Sequence, residues 1–202
     1  MASTDAGLTD ATERRLVRGL QLVLIAIAVY GLVTVKFGVT APAVVSLSIT
    51  LFPAVLRREY GYSMDAGLVL WIAGAVLLHT VGSLGLYSRY QWYDEITHVV
   101  SATLIAALGY AAFRALELHT DEVSVPESFR TAFIVVFVLS AAILWEVLEF
   151  AAGVYFTVYG VDDIVTDMLA NIAGAVVVAL GGTGPVSGLV AFFRDRLRSS
   201  DA

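Results

Sequence analysis

The stretch AGLVLWIAGAVLLHTVGSLGL, Ala66 to Leu86, contains no Asp, Glu, Lys or Arg. The hydrocarbon core of a bilayer takes about 20 apolar residues of α-helix to cross. A run of this length and polarity predicts a transmembrane helix, and the same pattern recurs on both sides of it. Upstream lie Leu16–Val35 and a shorter run, Pro42–Leu56, interrupted by Pro53. Downstream lie Tyr93–Phe113, Phe129–Ala152 and Val161–Leu180. Gly181, Gly182, Gly184 and Pro185 break the last run. The tail Val186–Arg198, with Arg194, Arg196 and Arg198, then reads as an interfacial helix or an extension of the sixth. The expected fold is all-α, a polytopic bundle of six transmembrane helices. It comprises a polar tail (1–15), the membrane domain (16–182) and a C-terminal helix and tail (183–202).

Composition agrees. Of 202 residues, 58% are hydrophobic and 15% charged, against roughly 25% charged in soluble domains, and mean hydropathy is +0.82. Cysteine is absent, which excludes disulfides, thiolate nucleophiles and Cys-ligated metals. Net charge is −6, which argues against nucleic-acid partners. Abundant acids with a single Lys point to a halophilic source. Met1–Glu13 is polar and acidic and lacks the features of a cleaved signal, so the first helix is expected to serve as an uncleaved one.

Basic residues orient the bundle. With the N-terminus in the cytoplasm, ten of the twelve fall inside: Arg14, Arg15, Arg18, Arg57, Arg58, Arg114, Arg130, Arg194, Arg196 and Arg198. Only Lys36 and Arg89 fall outside. Dropping the second helix would reverse every later loop. Six spans, both termini cytoplasmic and a multi-pass location in the plasma membrane follow. Trp71, Trp92 and Trp145, with Tyr87, Tyr90 and Tyr93, are expected as interfacial anchors.

The same orientation gathers the acids outside the cytoplasmic segments. Asp94, Glu95, Glu146, Glu149, Asp162, Asp163 and Asp167 all fall at the outer ends of helices four to six, and His79 and His98 lie at similar depth. Asp94 and His98 are spaced i, i+4; Glu146 and Glu149 i, i+3; Asp163, Asp167 and Asn171 i, i+4, i+8. Each set occupies one helix face. An intramembrane carboxylate costs on the order of 2.5–3.5 kcal/mol even on the lenient insertion scale. Carboxylates grouped without cations must take up protons or bind a cation. Asp94, His98, Glu146, Glu149, Asp163 and Asp167 are the expected ligands of a divalent metal ion, with His79 and Asn171 as further candidates. Imidazole with carboxylate suits Mn²⁺, Zn²⁺ or Fe, and carboxylate with water suits Mg²⁺ or Ca²⁺. Glu95 and Asp162 are expected to be solvated neighbours. Gly174 and Ala170 form a small-x-x-x-small pair suited to close helix packing.

These motifs resemble the VanZ-like and YjdF-like families of small integral membrane proteins over about Tyr93 to Ala175. The matching positions are Asp94, His98, Glu146, Glu149, Asp163, Asp167, Asn171 and Gly174. Glu95 and Glu149 depart from the Lys and Gln common in VanZ-like chains, and the Glu-x-x-Glu exit is closer to the YjdF-like pattern. The functional expectation is a metal-assisted action on a lipid, polyprenyl-phosphate or envelope precursor at the outer face. A cation or proton transporter and a structural assembly subunit are the alternatives.

Overall fold

A computed structural model describes residues 10–119, 125–151, 160–181 and 186–200. The expected helix break at Gly182–Pro185, the end of the fifth span at Ala152 and most of the polar N-terminal tail lie outside these residues. The helices are α1 (Asp10–Val33), α2 (Phe37–Tyr60), α3 (Ala66–Val81), α4 (Gln91–Glu117), α5 (Glu127–Ala151), α6 (Val161–Gly181) and α7 (Ser187–Ser200). α3 runs on through a π-helical segment, Gly82–Leu86, and a last turn to Arg89. Among the described residues six helices are long and apolar enough to cross a membrane. No strand occurs among the described residues.

The second span is longer than the hydropathy run that announced it. Both Pro42 and Pro53 lie inside α2. Proline costs a backbone hydrogen bond, yet membrane helices accommodate it, because lipid offers the chain no better alternative than helix. The helix stops instead at Gly61, whose φ of 67° and N–H to Arg57 C=O make a left-handed C-cap.

The helices form two groups. α1, α2 and α3 pack on one another; α4 packs on α5, α6 and α7; and α3 joins the groups through α4. The composition of α4 makes it the central post. Its buried positions include Ala102, Ala106, Ala107, Gly109, Ala111 and Ala115, and short side chains let neighbouring helices approach. Gly109 receives the Phe137 ring of α5 where a Cβ would stand. Leu189 of α7 and Val186 just before it join the same core, beside Leu104, Ala107 and Ala111. At the arginine-rich end Glu117 accepts from Arg114 at 2.7 Å and from Arg130 at 3.0 Å, which ties α4 to α5.

Candidate metal centre

The crossing of α4 and α6 builds the site. A Cβ on Gly174 would lie 2.6 Å from Ala102 Cβ, 2.7 Å from the Val99 carbonyl oxygen and 3.0 Å from the Thr103 nitrogen. Only a bare Cα allows this approach. One turn toward the acidic end, the close crossing brings Asn171 of α6 against His98 of α4, with Asn171 Nδ2 at 3.2 Å from His98 Nδ1. The other ring nitrogen, Nε2, faces two carboxylates: Asp94 Oδ1 at 3.5 Å and Asp167 Oδ2 at 3.6 Å. His98, Asp167 and Asn171 are 5%, 2% and 5% exposed. Ligand atoms of Asp94, His98 and Asp167 all lie within 4.8 Å of one another.

The two Nε2–carboxylate separations, 3.5 and 3.6 Å, exceed the roughly 2.7–3.2 Å of a good N–H···O bond. They match the edge of a coordination tetrahedron, which is about 3.4 Å for metal–ligand bonds of about 2.1 Å. The contact of Asn171 with Nδ1 is the outer partner that a ligating imidazole usually has. An amide can offer its oxygen as well as its nitrogen. With the oxygen toward His98, Nδ1–H donates to it and the Nε2 lone pair points at the carboxylates. Asp167 Oδ1 is buried without a hydrogen-bond partner, as are one oxygen each of Glu146 and Glu95. Among the described residues no Arg or Lys pairs with Asp94 or Asp167.

Three of the six expected ligands therefore converge at ligand distance. Glu146, Glu149 and Asp163 stand further out, close enough for their charges to act on Asp94 and Asp167. Asp162 is exposed. Glu95, expected to be solvated, is half-buried, because α4 turns that side toward protein.

His79 has both ring nitrogens occupied, Nδ1 by the Tyr87 hydroxyl and Nε2 by Ser101 Oγ, each at 2.8 Å. Its ring lies 5.9 Å from that of His98, so it lines one side of the site with both nitrogens hydrogen-bonded. Tyr87 reaches it because the π segment, with Gly85 at φ 114°, redirects the chain and Gly82 leaves room beneath the Tyr87 ring. Tyr93 also turns inward and donates to the Leu78 carbonyl at 2.9 Å. The expectation that both tyrosines are interfacial anchors is corrected: each finds a polar partner inside the bundle. Trp92 and Tyr90 remain exposed. Of these partners, Ser101 was legible only as a residue three positions after His98.

A family model described as "Predicted membrane protein (DUF2238)" matches residues 16–185. The chain belongs to this family. Neither the curated proteins nor the solved structures contain a match.

Proposed function

We propose that this member of the DUF2238 membrane-protein family holds a divalent cation between Asp94, His98 and Asp167. We further propose that it uses the cation at the outer face of the plasma membrane to engage the phosphate of a lipid, polyprenyl phosphate or related envelope precursor. The observation that carries the reading is the buried His98 Nε2, set between two carboxylates at coordination-edge rather than hydrogen-bond distance. The uncompensated Asp167 Oδ1 supports it, because a buried carboxylate without a partner is costly.

Asp94, His98 and Asp167 are the proposed ligands, and Asn171 fixes the imidazole. Glu146, Glu149 and Asp163 form the outer acidic ring, where they attract the cation or complete its shell. When bound, the ion would polarise a phosphoryl or carbonyl oxygen or lower the pKa of a water. His79, fixed by Tyr87 and Ser101, closes one side. A reactant with a long apolar tail could reach the site from the bilayer, since Leu144, Val147, Leu148 and Phe150 at the same end of α5 are exposed. The Asp-x-x-x-His and Glu-x-x-Glu motifs favour an affinity with YjdF-like proteins.

Elemental analysis of the detergent-purified chain tests the reading. Wild type should carry a divalent metal; Asp167→Asn and His98→Gln should lose it, and Glu146→Gln should lose less. Metal-free wild type whose melting temperature ignores added Mn²⁺, Zn²⁺, Mg²⁺ and Ca²⁺ would sink the proposal.

A further inference from the structure

The arginine-rich end, opposite the acidic site, has a second feature. Two hollows meet there at Phe192 of α7, which lines both. The first, about 520 Å³, is a crevice between α2, α4 and α7, walled by residues such as Ile49, Phe52, Leu104, Leu108 and Leu189. It lies along the membrane-spanning lengths of α2 and α4, so bilayer chains are what it meets. The second, about 470 Å³, has a mixed lining in which the polar groups of Asp195, Arg196 and Ser199 face the rings of Tyr60, Tyr62 and Phe192. An apolar slot beside one that carries charged and hydroxyl groups fits a two-part molecule.

Charge decides which kind. The Arg196 guanidinium lies 4.7 Å from the centre of the Tyr60 ring and 5.6 Å from that of Phe192. Among the described residues no carboxylate pairs with it. Tyr62 stacks on Phe192 at 4.4 Å and firms the wall between the hollows. Arg57, Arg58, Arg194 and Arg198 lie at the same end and, with Arg196, outnumber Glu59, Asp65 and Asp195 there. A guanidinium held by aromatic faces keeps its N–H groups for an oxyanion. Asp195 and Ser199 can accept from headgroup hydroxyls, which favours a glycerol-type headgroup over choline.

We propose that the two hollows form one site for an anionic phospholipid of the cytoplasmic leaflet, its phosphate at Arg196 and one acyl chain in the crevice. The site is independent of the metal centre at the other end. A juxtamembrane arginine contributes about fivefold to the binding of an anionic lipid.

Native mass spectrometry in detergent, with phosphatidylglycerol and phosphatidylcholine of identical chains, tests it. Wild type should retain phosphatidylglycerol preferentially. R196Q should weaken that lipid about fivefold and phosphatidylcholine, whose choline offsets its phosphate, by less, whereas R196K should keep the preference. Ser48 is an exposed residue at the crevice, so S48W should block the slot and lower retention of both lipids without disturbing the core. Equal retention of the two lipids by wild type, R196Q binding like wild type, or no effect of S48W would overturn the proposal.

Discussion

His98 has two ring nitrogens with separate tasks. Nδ1 is held by Asn171, and Nε2 faces Asp94 and Asp167. In the proposed metal centre, Asn171 acts through the imidazole. Asn171→Leu keeps the volume and removes the orienting bond. It should lower affinity for a titrated divalent ion by about 10–100-fold, the usual effect of losing an outer-shell partner. Calorimetric titration of both proteins with Zn²⁺ or Mn²⁺ reads this directly, and unchanged affinity would show that His98 is fixed by packing alone. The helical spacing in the sequence nominated Asp94, His98, Asp167 and Asn171, because i, i+4 periodicity is a local property. It could not rank them against Glu146, Glu149 and Asp163. The ranking depends on which residues of α4 and α6 share the turn above Gly174, and no single helix encodes that. The inward turn of Tyr87 is hidden from the sequence for the same reason: its hydroxyl meets His79 because the π turn at Gly82–Leu86 redirects the chain.

The α4–α6 crossing is the element that makes the site, and Gly174 is its closest point. Two of the three atoms that a Cβ would meet there are backbone atoms of α4, so the neighbour cannot yield by changing rotamer. Gly174→Ala should cost about 1–3 kcal/mol, the range for overpacking a tight interface, and should also loosen the His98–Asn171 contact. Gly74 of α3 provides the control, since a Cβ there meets nothing within 4 Å. Gly74→Ala should leave the melting temperature unchanged or slightly raised, and Gly174→Ala should lower it clearly. Equal shifts would mean that the crossing has slack. Hydropathy located the spans because each must satisfy its own backbone in lipid. It under-measured α2, where the apolar run ends at Leu56 while the helix continues through Arg57 and Arg58 to Tyr60.

Across the whole molecule, polar groups are segregated by end. Seven acids that lack cationic balance gather with His79 and His98 where α4 and α6 begin and α5 finishes, while every arginine but Arg89 belongs to the opposite end, where the remaining acids offset them. Along α4 from Ala102 to Ala115 the fully buried residues are Ala, Leu and Gly, so the buried face of this helix carries no polar side chain beyond the site. A second set of hydroxyls, Ser46, Thr50 and Thr80, lies in α2 and α3. Thr50 bonds the Leu47 carbonyl, Ser46 and Thr80 bond the Val76 carbonyl, and Thr80 donates to Ser46. Such a set satisfies itself instead of conducting. The arrangement fits a protein that works at one face, and the proposed chemistry requires that face to be the outer one. The cysteine-free chain makes sidedness measurable without background. Ser88, exposed beside the acidic end, and Ser199, near the end of α7, each become a single reporter thiol. In intact cells a membrane-impermeant maleimide should label Ser88→Cys, whereas Ser199→Cys should react only after permeabilisation. The reverse pattern would place Asp94, His98 and Asp167 on the cytoplasmic side. It would also remove outer-leaflet and envelope precursors as reactants and require a cytoplasmic one.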